Sequence, residues 1–153
     1  MAPPDSELRY HTSQEIPRIN GNFEGQSIVS LEQFDRSDLM KVFETTFAMK
    51  ELAQREIPPD HILRGKRVVL LFYEPSSRTR ASFDAATKAL GGKTIVVENP
   101  QAFSSVAKGE TFEDTIRTYQ AYSHIIVLRH PDQGAAMHAA EVADIPIINA
   151  GDG

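Results

Sequence analysis

Four short apolar runs, each set off from the next by a stretch with helical spacing, constrain this chain more than any other feature. They are Arg67-Val-Val-Leu-Leu-Phe-Tyr73, Thr94-Ile-Val-Val-Glu98, Ile125-Ile-Val-Leu128 and Ile145-Pro-Ile-Ile-Asn149. Runs this continuously apolar, rich in β-branched residues, are strands buried on both faces rather than strands with one wet side. Pro146 places the last of them at an edge or at a strand start. Between the runs lie predicted helices. Residues 78–90 carry Phe83, Ala86 and Leu90 on one stripe and stop at Gly91-Gly92. Residues 111–123 open on Thr111-Phe-Glu-Asp114, a loose capping box, and residues 132–143 are Ala-rich. Strand–helix alternation with buried strands predicts an α/β fold: a parallel β-sheet of about four strands with helices on both faces, an αβα sandwich.

Ahead of the alternation, residues 37–54 form a predicted helix with Leu39, Phe43 and Phe47 on one face, ended by Pro58-Pro59. Residues 1–27 are polar and rich in Pro, Asn and Gly, and are expected to be a partly disordered N-terminal extension to a domain spanning 28–153. At 153 residues the chain has the length of one domain with its own core. No apolar run nears the ~20 residues of a membrane span. Met1–Glu7 lacks the basic-then-apolar order of a secretory leader, so the expected location is cytoplasmic. With no cysteine, the chain has no disulfide, thiolate metal site or thiol nucleophile. A net charge of −5 argues against nucleic acid as a partner.

In such sheets ligands bind beyond the carboxyl ends of the strands, so the loops there hold the candidates. Glu74-Pro-Ser-Ser-Arg-Thr-Arg80 follows the first strand and leads straight into a helix. A helix start offers free N–H groups and a positive dipole end, which suits a phosphate. Ser76, Ser77 and Thr79 add hydroxyl donors, and Arg78 adds a forked cation. The plainer reading is a serine cap with solvated arginines. Against it, arginines are disfavoured in a first turn unless an anion is present. After the second strand, residues 99–109 form a long polar connection with Ser104 and Lys108, which on spacing alone is a surface loop. Arg129 and His130 follow the third strand. Arg129 should point to the same crevice, and His130 is read as a satisfied histidine rather than a metal ligand. Asn149-Ala-Gly-Asp-Gly153 reads as a small ligand-facing turn after the fourth. Gly91-Gly92-Lys93-Thr94 imitates the end of a P-loop. However, Thr87 stands where a glycine is required, and the segment closes a helix instead of opening one.

Taken together, Phe72-Tyr-Glu-Pro-Ser-Ser-Arg-Thr-Arg80, Lys108-Gly-Glu-Thr-Phe-Glu-Asp-Thr115, Arg129-His-Pro131 with Gly134-Ala-Ala136, and Asn149-Ala-Gly-Asp-Gly153 resemble the aspartate/ornithine carbamoyltransferases, in family order and spacing. The second and fourth segments are similar to the aspartate branch. The resemblance covers residues 30 to 153 and implies the family's N-terminal, carbamoyl-phosphate-binding domain. It implies that Ser76, Ser77, Arg78 and Thr79 hold the phosphate, with Arg78 at the leaving oxygen. Thr79 and Arg129 would hold the carbamoyl carbonyl, making Arg78, Thr79 and Arg129 the catalytic group. Ser104 and Lys108 would reach a neighbouring subunit's site, with Lys108 on aspartate. Glu74 would bridge to a second domain and hold it closed, and Arg80 would bond within its own domain.

The implied reaction moves a carbamoyl group from carbamoyl phosphate to L-aspartate, giving N-carbamoyl-L-aspartate and phosphate in pyrimidine biosynthesis. It needs no cofactor and no metal. The implied assembly is a homotrimer, with a regulatory subunit or fused pathway enzymes left open as further partners. The family continues beyond Gly-Asp-Gly into an aspartate domain that this sequence lacks, so the chain is expected to be C-terminally truncated and inactive alone. Two alternatives stay beside this reading: a stand-alone anion-binding or assembly module without catalysis, and the corresponding domain of an ornithine carbamoyltransferase.

Overall fold

The structure, a computed structural model, describes residues 15–55, 59–100 and 109–153. After a 3₁₀ turn at Leu31–Gln33 come α1 (Arg36–Ala53), β1 (Arg67–Phe72), α2 (Ser77–Ala89), β2 (Lys93–Glu98), α3 (Phe112–Gln120), β3 (Ile125–His130), α4 (Ala135–Val142) and β4 (Ile147–Asp152). The strands form one sheet in the order β2-β1-β3-β4, and every pairing is parallel. The expected α/β architecture is therefore present. Parallel neighbours need a crossover, and each successive strand is reached through a helix.

The strand order fixes where a ligand can sit. The connection leaving β1 runs to β2 on one side, while the connection leaving β3 runs to β4 on the other. Their carboxyl ends therefore flank the switch point, where the loops part and leave a crevice.

Side chains alternate between the two faces of the sheet. On one face Val69, Leu71 and Tyr73 pack with Ile126, Leu128 and Ile147 against Ile116 of α3 and Ala136 and Ala139 of α4. The fully buried Ala135, Ala136 and Ala139 let α4 lie close to the sheet. On the other face Val68, Leu70, Phe72 and Val127 pack with Phe83 of α2. Leu70, Leu71 and Phe72 are wholly buried, each worth roughly 1.5–3 kcal/mol of transfer free energy.

The segment before α1 joins the same body. Ile19 is buried, and its N–H donates to the carbonyl of Gln33 at 2.9 Å. The buried Gln33 side chain accepts from the N–H groups of Val29 and Ser30 at 2.7 and 3.1 Å. It donates to the carbonyls of Pro17 and Ser27 at 3.2 and 2.9 Å. Ile28 forms a parallel bridge with Ile148, lying along the outer edge of β4. Of the expected extension, residues 1–14 lie outside the described residues.

α1 follows this segment. Asp35 caps it, and buried Asp38 accepts from the N–H groups of Gly21 and Asp35 at 2.7 and 3.1 Å. The helix spans the expected residues, but its stripe does not face the core: Phe43 is 52% and Phe47 69% exposed. A period of 3.6 places residues on one face without saying what lies opposite. β4 departs from expectation. It starts after Pro146, which has no N–H for the ladder, and it runs on through Asp152. The Gly91-Gly92 decoy is a helix stop. Gly91 has φ +83°, and a Cβ there would fall 1.7 Å from the carbonyl oxygen of Asp60.

Candidate functional site

β1 delivers the chain to the switch point at Tyr73, whose N–H donates to the carbonyl of Arg129 at 2.9 Å. Glu74 and Arg129 therefore emerge side by side from adjacent strands. Glu74 Oε2 lies 3.2 Å from Arg129 Nε, an ion pair without good hydrogen-bond alignment, since that nitrogen makes no hydrogen bond. Both side chains remain about a third exposed, at 38% and 32%, so the attraction is partly screened.

Arg129 sits at an irregularity. The β3–β4 pairing runs Ile126↔Ile147, Val127↔Ile148 and Leu128↔Asn149, then resumes at His130↔Asp152. Two β4 residues, Ala150 and Gly151, thus stand opposite Arg129. Such a bulge re-aims a side chain. Arg129 Nη1 donates to the carbonyl of Ala150 at 3.2 Å. Gly151 has φ +125°, and a Cβ there would come 3.0 Å from Arg129 Nη1, so the glycine admits both the backbone turn and the guanidinium.

The Ser76–Arg80 turn begins α2. Ser76 is the N-cap residue, but its side chain makes no capping bond, and the first turn holds no acid. The first N–H groups of a helix lack intrahelical acceptors, and the earliest backbone bond here is Arg80 N–H to Ser76 O at 3.3 Å. Ser77 and Arg78 are exposed, and Ser76 and Thr79 are half-buried. Arg80 turns away to pair with Glu98 at the end of β2, as expected of a residue bonding within its own domain. The arrangement offers unspent N–H groups, hydroxyls and Arg78, with Arg129 close to the base of the same turn. It can bind an anion and polarise a carbonyl.

The structure thus brings the Glu74–Thr79 turn and Arg129 to one edge of the sheet. Ser104 and Lys108 lie outside the described residues. His130 is a buried histidine whose Nδ1 accepts the N–H of Asp132 at 3.0 Å, so it fits the satisfied reading. Sequence reasoning missed Asp152. Its Oδ2 accepts the N–H of Ala136 at 3.1 Å, capping α4 after left-handed Gly134, and its Oδ1 accepts from Asn149 Nδ2 at 2.7 Å. An acid between two glycines looks like a loop residue, and only the strand pairing places it there. Beside the site, His138 Nε2 lies 2.6 Å from Glu113 Oε1. That hydrogen bond is the main cause holding the Glu113 carboxyl below its ordinary value. Among the described residues no cluster of three His, Asp or Glu could hold a metal, and no helix is long and apolar enough to cross a membrane.

Residues 26–153 match the family model for the carbamoyl-P binding domain of aspartate/ornithine carbamoyltransferases. The chain is 51% identical over 131 residues to chloroplastic aspartate carbamoyltransferase 2 of Pisum sativum, covering 86% of this chain and 34% of that protein. It is 46% identical to the aspartate carbamoyltransferase catalytic subunit of Methanocella arvoryzae, covering 86% and 42%. Aspartate transcarbamoylase from Trypanosoma cruzi in complex with carbamoyl phosphate and aspartate superposes with a TM-score of 0.79 at 41% identity, over 91% of this chain and 42% of that one. The catalytic subunit of M. Jannaschii aspartate transcarbamoylase superposes with a TM-score of 0.77 at 44% identity, over 84% and 41%. The chain therefore spans between a third and under half of the length of these relatives.

Proposed function

The chain belongs to the aspartate/ornithine carbamoyltransferase family, as its carbamoyl-phosphate-binding domain, and from that premise we propose that it supplies the carbamoyl-phosphate half of an aspartate carbamoyltransferase. The observation that carries the proposal is the uncapped, acid-free start of α2 with Arg78 on it, beside Arg129 at the switch point.

In this reading Ser76, Ser77, Arg78 and Thr79 grip the phosphate through hydroxyls, N–H groups and the guanidinium. Thr79 and Arg129 hold the carbonyl oxygen. The aspartate amine attacks the carbonyl carbon, and the proton it sheds as the N–C bond forms passes to an oxygen of the phosphate, which carries it away. The resulting tetrahedral intermediate carries its charge on the oxygen facing Arg129. The C–O bond to phosphate then breaks, with Arg78 at the departing oxygen. Donors aimed at two developing charges are the kind of assistance this reaction needs. Glu74 neutralises Arg129 in the structure. It has to release that guanidinium when a substrate carbonyl arrives, and a second domain bearing cations would receive the freed carboxylate.

Aspartate as the acceptor is supported by the relatives named for it and by the Trypanosoma cruzi complex. Ser104 and Lys108 are proposed to reach a neighbouring subunit's site in a homotrimer, whose mass native spectrometry would read. The domain is proposed to run from residue 28 to 153, close to the family match beginning at residue 26. A cytoplasmic location is kept as a proposal beside the chloroplastic names of the plant relatives, and cell fractionation decides between them.

Calorimetry tests the central claim. The chain should bind phosphate and carbamoyl phosphate, and Arg78→Ala should weaken both by about tenfold or more, the value of a charge-assisted hydrogen bond. Equal affinities for the two proteins would remove the phosphate role of Arg78.

A further inference from the structure

Beneath the site lie three rings that the proposed chemistry leaves unused. Tyr73 follows β1, His130 ends β3 and Phe112 begins α3. Their centroids are 4.5 Å apart for Tyr73–His130, 5.3 Å for Phe112–His130 and 5.8 Å for Tyr73–Phe112. The interplanar angles of 55°, 72° and 54° are tilted and edge-on, within the range aromatic pairs prefer. Tyr73 is 7% and His130 2% exposed. A fourth ring, His138, stacks on Phe112 at 6.0 Å and is tied to Glu113.

Position gives the cluster its meaning. Tyr73 immediately precedes Glu74, and His130 immediately follows Arg129. The cluster therefore clamps the two strand ends at residues adjoining the Glu74–Arg129 pair. It also lies where the β3–β4 ladder is broken. Opposite Arg129 the regular bonds lapse, and pairing resumes only at His130↔Asp152. A bulge with no support beyond the break would let the Arg129 backbone shift, and placement within about half an ångström is what such a cation needs. His130 supplies that support twice. Its ring is wedged between Tyr73 and Phe112, and its Nδ1 accepts the Asp132 N–H at 3.0 Å, fixing the chain as it leaves the strand.

We propose that His130 is a positioning residue for Arg129, acting through the three-ring wedge it forms with Tyr73 and Phe112. The wedge aims the guanidinium at the carbonyl oxygen while contributing nothing to the grip on phosphate. The inference rests on the reading that Arg129 meets the carbamoyl carbonyl.

The test uses the full-length protein in a carbamoyl-transfer assay with aspartate. His130→Ala should lower kcat by about tenfold or more, the cost expected of a misplaced catalytic group, while KM for carbamoyl phosphate moves less than about threefold. His130→Phe, which keeps the ring but loses the Nδ1 acceptor for the Asp132 N–H, should recover part of the lost kcat. Phe112→Leu removes a ring from the wedge while keeping apolar bulk, and should lower kcat in the same direction; it serves as the second probe if His130→Ala fails to fold. A folded His130→Ala protein with wild-type kcat overturns the proposal. So does a kcat loss that His130→Phe does not recover, or, where His130→Ala does not fold, an unchanged kcat in Phe112→Leu. The underlying reading has its own control. If Arg129→Ala retains wild-type kcat, the carbonyl role of Arg129 fails, whatever the His130 variants do.

Discussion

α2 and α3 both begin at the carboxyl edge of the sheet, yet their first turns are built in opposite ways. α3 is closed off. Thr111 accepts the N–H of Asp114 at 3.1 Å, and Glu113 and Asp114 put negative charge against the positive end of the dipole. α2 is left open. Ser76 makes no capping bond, no acid lies in the first turn, and the charged residues there are Arg78 and Arg80. Capping and favourable charge each contribute in the range of ~0.3–2 kcal/mol, so α2 forgoes stability that α3 collects. A helix start that lacks both leaves its first N–H groups open to an anion. The difference separates a terminus closed by its own side chains from one left open.

The largest expected effect is on the open terminus. In the full-length protein Arg78→Ala should reduce kcat by about 10²–10³-fold, as for loss of one transition-state donor, read by steady-state carbamoyl transfer. A smaller change would make α2 more like α3. Ser76→Asp places a carboxylate at the cap, as Asp35 does for α1. Phosphate affinity by calorimetry should fall by about tenfold, while the midpoint of urea unfolding rises with the ~0.5–1 kcal/mol of a better cap. If affinity falls and stability does not rise, the α2 terminus was already satisfied, and the contrast with α3 dissolves. Thr111→Ala opens the closed terminus. It should cost about 1 kcal/mol of stability in denaturant unfolding and leave phosphate affinity unchanged.

The smallest effect concerns Glu113 on the first turn of α3. Its pKa is lowered from 4.5, first by the hydrogen bond from His138. A carboxylate with a depressed folded pKa adds stability above its unfolded pKa and loses it as pH falls through the folded value. Glu113→Gln should therefore lower stability modestly at neutral pH and flatten the decline below about pH 4.5, where wild type loses the same contribution. Parallel acid-unfolding curves for the two proteins would show that the His138 contact does not stabilise this terminus.

Much of the architecture was legible from the four apolar runs, because burial on both faces removes the polar alternation of a half-exposed strand. The open turn at the start of α2 was legible as a candidate anion site, since Ser76, Ser77, Arg78 and Thr79 are contiguous and its chemistry is local. What escaped was non-local. Phe43 and Phe47 share a face, but nothing in their spacing says that the face stays exposed here. Asn149–Gly153 looks like a loop by composition. The strand through Asp152 depends on pairing with His130 across the bulge, which no local propensity reports. Tyr73, Phe112 and His130 are far apart in sequence, so their packing could only be seen once the sheet had assembled.

The strip that covers the outer edge of β4 has a consequence for how the protein is made. Ile147 N–H donates to Ser27 Oγ at 3.0 Å, and Asn149 Nδ2 donates to the carbonyl of Val29 at 3.0 Å, each across 120 positions of sequence. On a ribosome moving at roughly 5–20 residues per second, the segment around Ser27 leaves the tunnel on the order of ten seconds before the strand it must meet. During that interval the helices and inner strands can assemble, but this strip has no docking edge. Its closure is a late event, and β4 presents unpaired backbone to other nascent chains until it happens.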